Sequence, residues 1–197
     1  LAREAGLAIA WGFAERDAGG AVFNAVQVAD RNGRRLGVYR KTHLFGEIDR
    51  RQFSASDGTP TVIELNGWRV GVLICYDVEF PEAVRTLALQ QVDLVIAPTA
   101  NMRGFEAVPK LLVPARAYEN QLFVAYANCC GPEGDMVYGG RSAVAAPDGR
   151  FLAQAGEAPQ LLVADLALGE ARRSPLTYLA DRRPDTYASL AVTTPRR

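Results

Sequence analysis

Two Asn-Gly dipeptides, Asn32-Gly33 and Asn66-Gly67, constrain this chain more tightly than any other feature. Asn and Gly accept the positive φ angles that a tight antiparallel turn imposes, and most residues do not. Each dipeptide stands between apolar, β-rich runs: 22–30 and 35–41 around the first, 61–65 and 68–74 around the second. The spacing predicts two antiparallel hairpins. The second ends immediately before Cys75.

The rest of the chain alternates. Residues 7–13 form a short apolar run of the kind a buried strand needs. Pro81 opens a helix where a missing N–H costs nothing, and Val84, Leu87 and Ala88 give that helix one apolar face. A strand over 94–97 follows, then a helical stretch with Val108, Leu111, Leu112, Ala115 and Glu119 on one side. Pro114 within that stretch is expected to kink or split it. Further strands are expected over 122–127, 142–146, 151–154 and 161–166, with Pro147-Asp148-Gly149 as a turn. Helices separating short apolar strands, with hairpins added, predict an α/β layered sandwich. No repeat or linker divides the 197 residues, which suffice for one domain over 1–197. The Arg- and Pro-rich stretch 171–197 reads as a C-terminal arm lying over the surface or onto a partner subunit.

Composition removes several functions. Lys+Arg and Asp+Glu are both 22, so bulk charge draws neither nucleic acid nor an anionic membrane. No apolar run reaches the roughly 18 residues of a membrane span, and the opening Leu1-Ala2-Arg3-Glu4-Ala5 lacks the pattern of a signal peptide. Three cysteines, with Cys129 and Cys130 adjacent, make no disulfide framework. Cys129 and Cys130 read as buried core thiols, and the setting as reduced and cytoplasmic. A single histidine, His43, excludes zinc sites built on several histidines.

Cys75 follows the apolar strand 68–74 and precedes Tyr76-Asp77-Val78-Glu79-Phe80-Pro81-Glu82 and a helix. A nucleophile at a strand-to-helix turn is exposed at the sheet edge, where backbone N–H groups can receive an oxyanion. A lone cysteine is more often a structural thiol on residue type alone. Lys41 ends the first hairpin in Tyr39-Arg40-Lys41-Thr42-His43-Leu44-Phe45. It reads alone as a surface lysine, whereas beside a thiol it would lower the thiol pKa and polarise a carbonyl. Glu47 and Asp49 are loop charges or acids that position or shuttle a proton.

The blocks 39–45 and 72–82 together resemble the nitrilase superfamily signatures around its lysine and cysteine. Pro98-Thr99-Ala100-Asn101-Met102, Pro114-Ala115-Arg116-Ala117-Tyr118-Glu119-Asn120 and Gly139-Gly140-Arg141-Ser142 resemble family segments in the expected order. The resemblance runs from about Ala8 to Tyr187. It implies an αββα four-layer sandwich, assembly as homodimers or larger homo-oligomers, and Glu-Lys-Cys catalysis with no metal or organic cofactor. The family lysine matches Lys41 and the cysteine matches Cys75; Glu47 is the choice for the auxiliary glutamate, ahead of Asp49.

Tyr76 is expected to place a backbone N–H in the oxyanion hole, and Asn101 to line the substrate pocket at the end of its strand. Glu79 and Asp77 are pocket residues or salt-bridge partners of Arg116 or Arg103, and Arg116 pairs with Glu119 at i, i+3. The family's general-base glutamate lies well ahead of the lysine, in a segment rich in Pro and aromatic residues. Glu4 and Glu15 stand in no such motif, so residues 1–197 are expected to be an N-terminally incomplete domain, inactive alone. The implied reaction of the intact protein is hydrolysis of a small-molecule amide through a cysteine thioester. Tyr76-Asp77 after the cysteine, in place of the Trp-Glu of nitrilases, favours amidase over nitrilase. Carbamoylase is the rival within the family, and a degenerate binding or assembly module is the rival outside it.

Overall fold

The computed structural model describes residues 1–58 and 60–191 of the chain. β1 (Ile9–Arg16), β2 (Val22–Ala29) and β3 (Arg35–Arg40) form an antiparallel three-stranded sheet in that order. β4 (Thr61–Leu65), β5 (Trp68–Val72), β6 (Leu94–Thr99) and β7 (Phe123–Asn128) belong to a second, six-stranded sheet. A small hairpin of β8 (Cys130–Glu133) and β9 (Met136–Gly139) follows. β10 (Ala143–Ala145) and β11 (Phe151–Gln154) then complete the second sheet, whose order is β11-β10-β7-β6-β5-β4. Its centre, β5-β6-β7, is parallel. The helices are α1 (Ala2–Ala5), α2 (Gly46–Arg50), α3 (Pro81–Leu89), α4 (Val113–Asn120) and α5 (Leu168–Arg172).

Both predicted hairpins form, by different turns. Leu65 pairs with Trp68, and Asn66 and Gly67 take φ of 51° and 81°. That is the two-residue turn with both φ positive. In the first hairpin only Gly33 is left-handed, at 81°. The Asp30 carboxylate accepts the N–H groups of Asn32 and Arg34, both at 2.9 Å, and the ladder slips between Val28 and Ala29. An aspartate turn with a bulge has replaced the two-residue turn.

The two sheets and one helical layer stack. A Cβ on Gly71 of β5 would come within 2.9 Å of Leu87 on α3, so that helix lies close against the six-stranded sheet. Val95 and Val124, on the same face as Gly71, are fully buried. On the opposite face Val70 and Val72 join Ile63 and, from the three-stranded sheet, Val26, Val28 and Tyr39 in one core. The described residues therefore supply a helix–sheet–sheet stack of the α/β class.

Pro114 stands in the first turn of α4, where proline is tolerated. The helix is split just before it by a π-helical turn, Val108–Leu112. The extra residue in a π turn rotates the helix face by about 100°. The buried side of α4 is accordingly Val113, Arg116, Ala117 and Asn120, while Leu111 and Ala115 from the predicted face are exposed. A second correction concerns 161–166, which keeps the alternating burial of a strand but joins no sheet among the described residues. Alternation encodes an extended backbone; it does not supply a ladder partner. Cys129 is exposed and Cys130 half-buried, not core thiols, because the inward-facing run of β7 ends at Asn128.

The expected arm folds back on the molecule. Arg172 grips the buried carboxylate of Asp93 through Nε at 2.9 Å and Nη2 at 3.0 Å. Further on, the Gln121 side chain donates to Ser174 Oγ and to the Leu176 carbonyl. Residues 192–197 of the arm lie outside the described residues. Among the described residues no helix is long and apolar enough to cross a membrane.

Candidate active site

The parallel strands β5 and β6 bring two chain segments to one sheet end. Beyond β5 the chain buries Leu73 and Ile74, then turns at Cys75 into a 3-10 turn, Cys75–Glu79. Cys75 has φ 49°, a left-handed conformation that costs a non-glycine residue about 1–3 kcal/mol. Two sets of bonds hold it. Asp77 N–H donates to the Ile74 carbonyl at 3.0 Å, and Ile74 N–H donates to Asp77 Oδ2 at 3.1 Å. From α4, Arg116 donates to the carbonyls of Val78 at 3.0 Å and Glu79 at 2.6 Å. Its remaining bond, at 3.0 Å, is the predicted pair with Glu119. Asp77 and Glu79 make no salt bridge to Arg116, and Arg103 pairs with Glu157.

Burial is the largest influence on the Cys75 thiol and pushes its pKa up. The backbone N–H groups of Ala100 and Tyr76, together with the charge of Lys41, pull the other way. Tyr76, expected to offer its N–H to an oxyanion, has that N–H acting on the thiol. Ala100, just beyond β6, supplies a second N–H that sequence reading did not find.

Lys41 follows β3. Its N–H donates to the Asn24 carbonyl at 2.8 Å and its carbonyl accepts from Ser56 at 3.0 Å. The residue is only 2% exposed, and its ammonium donates to Asp49 Oδ2 at 2.5 Å. The same oxygen accepts the Phe45 N–H at 2.8 Å. Asp49, not Glu47, is therefore the acid the fold brings to Lys41. Glu47 is 73% exposed, with Arg51 at 3.9 Å. Two residues apart on a one-turn helix means about 200° of rotation, so the two side chains leave on opposite sides.

Aromatic rings enclose the pair. Phe45 meets Tyr76 and Phe105 edge-on, with centroids 5.2 and 5.6 Å apart, and Tyr76 meets Phe80 at 4.9 Å. His43 stacks on Phe80 at 3.9 Å. Glu79 is half-buried; burial raises its carboxyl pKa against the opposing pull of Lys41 and Arg116. Tyr126 on β7 is buried, and its hydroxyl, pushed up chiefly by burial, feels both Cys75 and Glu79.

Asn101 reaches the same sheet end, yet its amide is committed to the Phe105 carbonyl at 3.3 Å. Asn128 clamps its backbone, accepting the Asn101 N–H at 2.7 Å and donating to the Asn101 carbonyl at 3.2 Å. Asn128 also donates to Gly140 at 2.7 Å, and its N–H donates to Ser142 Oγ at 2.9 Å. The separated blocks 98–102 and 139–142 thus meet through one side chain. At Gly140, φ is 60° and a Cβ would sit 2.8 Å from the Gly156 carbonyl oxygen, so no other residue fits there.

Comparison with known proteins joins these features. The family model described as carbon-nitrogen hydrolase matches residues 1–175. The chain belongs to the carbon-nitrogen hydrolase family. Among similar hydrolases is one from Pseudomonas protegens named for the pqqF 5′ region, 47% identical over 194 residues, covering 97% of this chain and 68% of that protein. The (R)-stereoselective amidase of a Pseudomonas sp. is 39% identical over 184 residues, covering 92% of this chain and 66% of the amidase. The solved amidase from Nesterenkonia sp. AN1, of the nitrilase superfamily, superposes with a TM-score of 0.87 at 38% identity, covering 96% of this chain and 71% of that one. This carbon-nitrogen hydrolase chain spans about two thirds of the length of the curated relatives it matches.

Proposed function

We propose that the site is that of an amidase acting on small-molecule amides, with Cys75 as nucleophile and Lys41 as its cationic partner. The observation that carries the reading is the strained Cys75 turn at the sheet end, held by Asp77 and Arg116, with the charge of buried Lys41 acting on its thiol. In the reaction the sulfur adds to the amide carbonyl carbon. The carbonyl oxygen becomes an oxyanion facing Tyr76 N–H and the Lys41 ammonium. The C–N bond then breaks, and nitrogen leaves as ammonia or an amine carrying the thiol proton. Water attacks the resulting thioester, releases the acid and returns the thiol. Asp49 holds Lys41 in place and occupies the auxiliary acid's position.

Similar proteins named for amide chemistry support the reading. One acts on 2-oxoglutaramate by name, and the Nesterenkonia amidase has been solved with butyramide. That amidase also forms cysteine adducts with acrylamide and fluoroacetamide when a glutamate is replaced by glutamine. The replaced glutamate stands about a hundred residues ahead of the active-site cysteine there. The reading concerns Lys41 and Cys75. In this reading Asn101 and Glu79 meet the substrate's acyl group, and Phe45, Tyr76 and Phe105 offer apolar surface beside it.

In this reading residues 1–197 form one hydrolase domain with 171–197 as its arm. The exposed Leu89, Leu111 and Tyr118 on the helical layer support assembly into a homodimer or larger homo-oligomer. The exposed thiol of Cys129 suits the reducing cytoplasm. The test is ammonia release from acetamide and butyramide. The reading predicts release of at least one equivalent from the wild-type chain and none from Cys75→Ala. Release that survives Cys75→Ala, or none from either protein, would overturn it.

A further inference from the structure

The geometry points to Asp77 as the positioning residue that fixes Lys41 against Cys75. This rests on the amidase reading for its meaning, but not for its geometry. Asp77 belongs to the Cys75 turn and is fully buried. Its carboxylate accepts five hydrogen bonds. Oδ1 receives Thr42 Oγ1 at 2.8 Å, His43 N–H at 2.9 Å and His43 Nδ1 at 2.8 Å. Oδ2 receives Tyr39 Oη at 2.9 Å and Ile74 N–H at 3.1 Å.

Four of these five donors come from residues 39–43, the segment that carries Lys41, and they flank it on both sides. The fifth comes from the residue before Cys75. One carboxylate therefore ties together two segments some 35 positions apart in sequence, at the two side chains that must meet on a substrate carbonyl. Thr42 Oγ1 and His43 Nδ1, both spent on Asp77, lie 2.9 Å apart, side by side around the acid.

The choice of donors matters as much as their number. A carboxylate has about four lone-pair sites, and five donors saturate them. A buried carboxylate short of donors would draw the nearest cation. Here Asp77 is satisfied without Lys41, whose ammonium goes to Asp49 and whose charge acts on the thiol. The donor set thus anchors the lysine's backbone while leaving its charge for the reaction.

The test uses the full chain and the near-isosteric Asp77→Asn. Its amide puts two N–H bonds where donors now point, so the 39–43 segment must move. A displacement of about 1 Å costs on the order of a hundredfold in rate. The expected result is a rate of release of the first ammonia equivalent lowered about a hundredfold, with its dependence on amide concentration changed little. In parallel, alkylation of Cys75 by iodoacetamide should require higher pH, because the sulfur loses the field of Lys41. A merely structural acid would lower the melting temperature and leave that pH profile unmoved. If Asp77→Asn does not fold, Tyr39→Phe and Thr42→Val, which each remove one donor and keep the acid, should shift the profile in the same direction. A folded Asp77→Asn, or both single-donor variants, with the wild-type alkylation profile overturns the proposal. Should wild type hydrolyse no amide, the amidase reading fails, while a shifted profile still assigns Asp77 its role.

Discussion

Asp49→Asn isolates the contact on which Lys41 depends. Lys41 is 2% exposed, and Asp49 is its ion-pair partner at 2.5 Å. Removing one member of a buried pair strands the other's charge and costs about 3–5 kcal/mol. The Asp49 side chain is 14% exposed, so water softens the loss toward the lower figure. Asn can still accept the Phe45 N–H, so that backbone bond adds little. About 3 kcal/mol is on the order of a hundredfold in the folding constant and leaves an ordinary domain folded. Adding Lys41→Met removes the stranded ammonium and should restore about 2 kcal/mol of this. Urea unfolding of the two single variants and the double, followed by tryptophan fluorescence, measures the cycle. A cost below about 1 kcal/mol for Asp49→Asn, or a double variant equal to the sum of the singles, would refute the reasoning.

Two other perturbations test the frame that carries the site. Gly71→Ala drives a methyl into Leu87, a side chain 1% exposed, and should cost about 1–3 kcal/mol in urea unfolding. Asp93→Asn should cost about 1.5–3 kcal/mol by weakening the grip of Arg172, read as faster proteolysis after residue 167. Burial raises the Asp93 pKa, but its bonds from Arg172 and Arg69 outweigh it and the net shift is downward. Its stabilisation is thus present above the ordinary aspartate pKa, about 4, and lost as the pH falls below that. In wild type the arm should loosen in acid; in Asp93→Asn the same proteolysis should not change through that range.

Local chemistry made the central fold legible. Asn66-Gly67 fixed its turn because both residues must be left-handed there, and the helix after Pro81 followed from a missing N–H. Lys41, ending one predicted hairpin, and Cys75, just after the other, stood out through the joint resemblance of blocks 39–45 and 72–82. What remained illegible depends on rotation and on partners. Glu47 and Asp49 differ in sequence by two places and in space by half a turn. The π turn before Val113 moved a whole helix face without any change in apolar spacing. Residues 161–166 have a strand's alternation, but pairing is a property of neighbouring edges. Asp77 reads from sequence as a pocket residue or a salt-bridge acid, since its donors, Tyr39, Thr42 and His43, converge on it only once the sheets have packed.

The claim that Cys75 is a nucleophile primed by Lys41 is most directly tested by treating the chain with fluoroacetamide and mapping the adduct by peptide mass spectrometry. Cys75 should carry it first, ahead of the exposed Cys129 and of Cys130, and Lys41→Ala should slow Cys75 alone. Equal labelling of the three thiols, or a rate at Cys75 indifferent to Lys41→Ala, would contradict it.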